Sequence, residues 1–251
     1  MVHFVGAGCG APDLITVRGQ RLLKQADVII YAGSLVNPQL LNNAKPGCEI
    51  YNSAEMTLEQ VISTIEKAEA NEKTTVRLHT GDPSIYGAIR EQIDLLNESG
   101  IRWDVTPGVS SFCGAAAVLG AEYTLPKVSQ TVMITRMEGR TPVPEKEEIT
   151  KLAAHHATMV IFLSAGMTEK LSERLIEGGY RPDTPAAIVY QASCPDDKTI
   201  VCTVKELPIK AKEHQITKTA LILVGDFLGT EYERSKLYDP SFSTEFREAS
   251  I

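Results

Sequence analysis

His79-Thr80-Gly81-Asp82-Pro83-Ser84-Ile85-Tyr86-Gly87 follows the apolar run Thr74–Leu78 and opens a stretch with Ile85, Ile89, Ile93 and Leu96 at helical spacing. That order predicts a buried strand over Thr74–Leu78, a glycine turn, and a helix over Pro83–Asn97 stopped by Ser99-Gly100. Gly81 lets another backbone approach closely, Asp82 accepts hydrogen bonds, and Pro83 suits a first helical turn. The construction recurs on both sides. Upstream, Val2–Gly6 runs into Gly6-Ala7-Gly8-Cys9-Gly10-Ala11 and then the helical stretch Thr16–Gln25. Downstream, Arg102–Val105 runs into Thr106-Pro107-Gly108-Val109-Ser110-Ser111 and a small-residue helix, Ser110–Leu119. With Val28–Ala32 as a further strand and Met56–Ala70 as a further helix, the alternation predicts an α/β layer on a mainly parallel sheet. Ligands of such sheets bind at the carboxyl ends of the strands, so the glycine loops read together as one pocket.

Residues 1–124 are therefore read as an N-terminal α/β domain, with Tyr123–Ser129, containing Pro126, as the linker. Residues 129–230 read as a C-terminal α/β domain. Its strands are predicted at Thr131–Thr135, Met159–Leu163, Ala186–Tyr190, Thr199–Val204 and Ala220–Val224, with a polar loop at Glu138–Glu147. Val201 and Thr203 alternate with Cys202 and Val204, which suits a mixed sheet with antiparallel members. Residues 231–251 read as a polar tail.

The chain of 251 residues is 43% hydrophobic and 23% charged, ordinary globular usage, and no apolar run exceeds five residues. A membrane helix needs about 20, so no membrane span is expected. No export signal is read at the start. The net charge of −7 argues against a nucleic-acid partner. Cys9, Cys48, Cys113, Cys194 and Cys202 are odd in number and form no C-x-x-C, which reads as reduced thiols of a cytoplasmic protein. His79 and the pair His155-His156 lack partners at ligand spacing, so no metal site is expected. Gly6–Ala11 nominally satisfies the dinucleotide fingerprint, but Pro12-Asp13 precede the helix and no acidic residue follows the second strand near Tyr31. A pocket loop or a plain glycine turn both remain open for it.

Taken together, Gly6-Ala7-Gly8-x-Gly10 with Leu14-Ile15-Thr16, Gly81-Asp82-Pro83-x-x-Tyr86-Gly87, and Pro107-Gly108-Val109-Ser110 resemble the motifs of the tetrapyrrole methylases, a family of S-adenosylmethionine-dependent enzymes. The resemblance runs from residue 2 to about 228. Tyr31-Ala32-Gly33-Ser34-Leu35-Val36, His79, the stretch Thr135–Glu145 and Phe162-Leu163-Ser164-Ala165 are similar to members that methylate carbon 11 of a cobalamin precursor. The resemblance implies that family's two-domain α/β fold, S-adenosylmethionine in the cleft between the domains, a tetrapyrrole substrate and a homodimer. Carried over residue by residue, it implies cofactor contacts at Pro12, Gly81, Asp82, Ile85, Tyr86, Ser110 and Ser111. From the second domain it implies Met167, Tyr190, Gln191 and Ala220.

One departure stands in the first loop, where Cys9 and Ala11 replace the family's proline and aspartate. The departure puts any role of that aspartate in question for this chain, and Asp13, two residues on, is expected to substitute for it only in part. The substrate's carboxylates need cations in an acidic protein, and Arg136 and Arg140 are the expected pair, because a planar guanidinium grips a carboxylate with two hydrogen bonds. A sulfonium methyl is already electrophilic, so catalysis is expected from alignment and exclusion of water, with no single catalytic residue. The alternative is a methyltransferase of the same fold acting on another tetrapyrrole or on a macromolecule, such as ribosomal RNA ribose or a modified histidine of an elongation factor; a silent cofactor-binding module is the other.

Overall fold

The computed structural model describes residues 1–250, apart from the side chain of Ser34; Ile251, the last residue of the expected tail, lies outside the described residues. Two compact units emerge, Met1–Ala115 with Ala192–Asp196, and Ala116–Gln191 with the chain from Asp197 onward.

The first unit holds five parallel strands: β1 (Val2–Gly6), β2 (Val28–Tyr31), β3 (Glu49–Asn52), β4 (Thr75–His79) and β5 (Trp103–Thr106), in the order β3-β2-β4-β1-β5. Central β4 is buried along its whole length, as a strand covered on both faces must be. Helices α1 (Val17–Gln25), α2 (Leu58–Ala70), α3 (Arg90–Glu98) and α4 (Ser111–Leu119) follow the strands. Phe4, Ile30, Ile65 and Leu96 pack on one side, and Val5, Leu23, Ile29 and Leu78 on the other. Thr16 caps α1 by accepting from Gly19 N, and Thr57 with Gln60 forms a capping box on α2.

The helix expected from Pro83 begins only at Arg90. Tyr86 and Ala88 take left-handed φ values of 54° and 49°, and a Cβ on Gly87 would lie 2.1 Å from Pro83 O. The chain doubles back over these residues before it can wind. Strand β3 lies at the sheet edge with two of its four side chains exposed, which is why no apolar run announces it.

The second unit holds β6 (Val132–Arg136), β7 (Thr158–Phe162), β8 (Pro185–Tyr190), β9 (Lys198–Thr203) and β10 (Ala220–Val224), in the order β6-β7-β10-β8-β9. Only β6 and β7 run parallel; β10 runs against β7 and β8, and β9 against β8, so the sheet is mixed as its alternation predicts. Helices α5 (Ile149–Ala153), α6 (Thr168–Glu177) and α7 (Leu207–Glu213) supply Ile149, Leu171, Leu175 and Leu207 to a core with Met159, Ile161, Ile188 and Ile222. The segment after Glu231 is mostly exposed, with a short 3-10 turn at Lys236–Tyr238, and Lys127 pairs with Glu233. Among the described residues no helix is long and apolar enough to cross a membrane.

Candidate functional site

The glycine loops interlock through their backbones. Beyond the ends of β1 and β4, Gly8 and Gly81 form an antiparallel bridge, Gly81 N donating to Gly8 O at 3.0 Å and Gly8 N to Gly81 O at 3.3 Å. A Cβ on Gly108 would lie 2.1 Å from Gly81 O and 2.7 Å from Gly6 Cα. One on Gly6 would come within 2.6 Å of Gly108 Cα and of Gly81 O. No side chain fits there, so glycine is required for the loops to meet at all. At Gly81, where φ is +61°, an added Cβ would fill the space beside Ser110 Cα and Ser111 N, each 3.4 Å away.

Asp82 stitches the second loop to the third. Its Oδ2 accepts from Gly108 N at 2.9 Å, and its Oδ1 accepts from Ser84 N at 2.8 Å. Burial alone would raise the Asp82 pKa, but the hydrogen bonds from Ser84 and Gly108 outweigh it and hold the carboxyl below its ordinary value. Ser110 is buried, Ser111 and Ile85 are half-buried, and Tyr86 is 46% exposed. Pro12 is half-buried at the start of a 3-10 turn after the first loop. Thus Gly81, Asp82, Ser110 and Ser111 come together, with Ile85 and Tyr86 on the same loop.

Sequence reasoning missed Ala192–Asp196, which joins the first loop from some 180 positions away. Ala11 N donates to Ser193 Oγ at 3.1 Å, and Cys9 Sγ lies 3.4 Å from the same hydroxyl. A Cβ on Gly10 would lie 2.3 Å from Ala192 O. At the two positions that depart from the family, a buried thiol and a backbone N–H therefore meet one serine; Asp13 is exposed. Nothing in the local sequence signals that contact. His79, read from the sequence as part of the family resemblance and not as a metal ligand, is 3% exposed; its Nε2 has no hydrogen-bond partner among the described residues, and burial followed by the Arg77 charge pushes its pKa down to about 3.

In the second unit, register places the ends of β6, β7 and β8 at the same edge as the start of β10. Tyr190 pairs with Ala220, and Gln191 N donates to Thr219 O at 3.1 Å. Met167 ends a 3-10 turn after β7 and packs partly buried against the core. Its Sδ and Cε lie 3.7 and 3.5 Å from where a Gly139 Cβ would stand. The loop carrying the two expected arginines therefore rests on Met167, and Met137 N donates to Ser164 Oγ at 2.9 Å.

The arginines themselves differ. Half-buried Arg136 turns inward on its own loop, Nη1 donating to Met137 O and Thr141 O at 3.2 Å each and Nη2 to Pro142 O at 2.7 Å. Arg140 at the tip is exposed and has no polar partner among the described residues.

Comparison with known proteins agrees with this architecture. Residues 1–208 match the model of the tetrapyrrole (corrin/porphyrin) methylases. The chain is 55% identical to the cobalt-precorrin-4 C(11)-methyltransferase of Methanocaldococcus jannaschii, over 99% of its own length and 96% of that protein. To the precorrin-4 C(11)-methyltransferase of Mycobacterium tuberculosis it is 44% identical, over 94% and 95%. A solved cobalt precorrin-4 methyltransferase superposes with a TM-score of 0.89 at 46% identity, covering 91% of this chain and 96% of that one. The uroporphyrin-III C-methyltransferase of Thermus thermophilus, solved with S-adenyl homocysteine, superposes at 0.75 with 27% identity, covering 93% and 95%. This chain belongs to the tetrapyrrole methylase family.

Proposed function

We propose that this chain is an S-adenosylmethionine-dependent C-methyltransferase acting on carbon 11 of cobalt-precorrin-4, or of metal-free precorrin-4, in cobalamin biosynthesis, giving cobalt-precorrin-5A or precorrin-5. The observation that carries the proposal is the 55% identity along nearly the whole chain to a protein of that name, in a fold whose glycine loops lock at the carboxyl edge of a parallel sheet.

The residues present fit the cofactor. The space beside Gly81 that a Cβ would fill is bordered by the Ser110 and Ser111 backbone, so a ligand can lie against main chain there. Gly81, Asp82, Ile85, Tyr86, Ser110, Ser111 and Pro12 are the proposed contacts of the first unit; Met167, Tyr190, Gln191 and Ala220 are proposed from the second on the family resemblance. S-adenosylmethionine supplies a methyl group made electrophilic by its sulfonium. The protein's part is to hold donor and acceptor in line and exclude water: the interlocked loops give a backbone surface that does not yield, and Tyr86, 46% exposed, lies on the same loop. Arg140 meets a substrate carboxylate, while Arg136 holds the loop that presents it. A homodimer and a cytoplasmic location complete the reading, resting on the family resemblance and on an odd cysteine count with no C-x-x-C.

Labelled S-adenosylmethionine offered with cobalt-precorrin-4 and with precorrin-4, side by side, is the test. Label at carbon 11 of either macrocycle supports the proposal, and their ratio identifies the metallation state. Label reaching only RNA or protein, or no product, overturns it.

A further inference from the structure

Arg77 sits in the middle of β4 and is 6% exposed. Its guanidinium meets no carboxylate among the described residues; its hydrogen bonds go to neutral acceptors, Nε to Gln92 Oε1, Nη1 to Ile30 O and Nη2 to Ser53 Oγ, each at 3.0 Å. Burial pushes its pKa down to about 10, which leaves it charged near neutrality. A buried cation satisfied only by dipoles is a costly arrangement to keep. What it holds gives the reason.

The Arg77 Nε–H can only donate, so the Gln92 oxygen must face it. That fixes the other end of the amide: Gln92 Nε2 points at Ala88 O and donates to it at 2.9 Å. Gln92 is itself 5% exposed, so its amide has no freedom to turn toward water. Ala88 is one of the two left-handed residues of the loop between Asp82 and α3, the other being Tyr86. Non-glycine residues persist in that region where their surroundings over-determine them. Here the loop is tied at its start by Asp82 to Gly108 N and at its end by Gln92 to Ala88 O. Ile85 and Tyr86 lie between the two ties.

We propose that Arg77 and Gln92 are positioning residues for cofactor binding: the buried guanidinium orients the Gln92 amide, which clamps Ala88 and holds the 82–89 loop in its ligand-binding shape. The inference rests on the reading that this loop contacts S-adenosylmethionine. It assigns the affinity for that ligand in part to two side chains that need not touch it.

Gln92→Glu separates clamping from mere packing. A carboxylate still accepts from Arg77, now as an ion pair, but cannot donate to Ala88 O. The expected result is a thermal midpoint equal to or above the parent's, amide hydrogen exchange over residues 85–89 at least about tenfold faster, and S-adenosylhomocysteine bound about tenfold more weakly by calorimetry. Parental exchange and parental affinity in a folded Gln92→Glu protein would overturn the proposal, because a purely structural pair predicts just that. Should the charge prevent folding, Gln92→Met removes both hydrogen bonds at similar volume. It must show the same faster exchange and weaker binding, and parental values there refute the clamp equally. If the parent itself fails to bind S-adenosylhomocysteine, the cofactor reading falls, while the exchange comparison still decides the clamp.

Discussion

At the carboxyl edge of the parallel sheet, Gly6 and Gly108 stand backbone against backbone with each other and with Gly81 O, closer than any Cβ on either allows. At the edge of the mixed sheet where β6 ends, the loop from Met137 to Pro142 closes instead around one guanidinium, with Arg136 gripping the carbonyls of Met137, Thr141 and Pro142. Both devices satisfy polar backbone and fix a loop, but they fail differently. Contact through absent side chains is intolerant at every participating position, because any added atom meets main chain that cannot move aside. Contact through a long side chain concentrates the requirement in one residue and leaves its neighbours free to vary. A loop of the first kind suits a ligand shared by a whole family, and one of the second kind suits the part of a site that differs between substrates.

The sharpest way to break this comparison is one extra methyl group in each loop. Gly108→Ala should cost about 3 kcal/mol of unfolding free energy, since the new atom would stand 2.1 Å from Gly81 O. Gly139→Ala meets only the flexible end of Met167, at 3.5 Å, and should cost no more than about 0.5 kcal/mol. Denaturant unfolding of both variants settles it; equal losses would mean that the two loops are built alike.

The ground beneath the loops differs as well, for β4 carries Arg77 and His79 into the interior of the first unit. The His79 pKa falls from 6.5 to about 3 in the folded protein. The unfolded chain therefore binds a proton below pH 6.5 that the native state refuses until about pH 3. Stability is full above pH 6.5 and declines as the pH falls, by about 2 kcal/mol at pH 5 for this one group. His79→Asn should abolish that part of the difference in unfolding free energy between pH 7 and pH 5. An undiminished difference in the variant would assign the acid sensitivity elsewhere.

How much of this was legible in the residues follows from the same distinction. The glycine loops announce themselves, because glycine after a buried strand has few other reasons to be there, and the mainly parallel α/β layer followed from the alternation around them, while the order of the strands did not. The start of α3 was misread because Asp82-Pro83 is a good helix-opening pair; only the left-handed Tyr86 and Ala88 delay the first turn to Arg90. The contact of Ser193 with Cys9 and Ala11 joins points distant in the chain and leaves no local pattern. Arg136 and Arg140 are the same residue type four positions apart, so composition could pair them but not divide their labour. That division came from the backbone: Arg136 is the last residue of β6, with the carbonyls of the returning loop in reach, whereas Arg140 is at the tip.

Replacing Arg136 should therefore act on the fold of its loop. Arg136→Ala frees three carbonyls that are only partly buried and can regain water, so the expected loss is about 1.5 kcal/mol of stability. Arg136→Lys should recover little, because a single ammonium cannot span acceptors on Met137, Thr141 and Pro142 in the planar arrangement a guanidinium allows. Full recovery by lysine would show that charge, and not the fork, holds the loop.

The smallest effect belongs to Arg140, and it is the most diagnostic for the substrate. Because Arg140 is exposed and has no polar partner among the described residues, Arg140→Ala should leave the unfolding free energy within about 0.5 kcal/mol of the parent. If its guanidinium meets a carboxylate on the rim of the macrocycle, substrate binding should weaken by about 1 kcal/mol, the upper end for an ion pair open to solvent. The loss should shrink in concentrated salt, which screens the parent's attraction and has nothing left to screen in the variant. Affinity for S-adenosylhomocysteine should not change. Measuring both affinities at low and high salt separates the cases cleanly: a salt-sensitive loss confined to the tetrapyrrole gives Arg140 to the substrate. Parental affinity for both ligands would leave the tip of this loop to the solvent and move the search for the rim's cations elsewhere on the second unit.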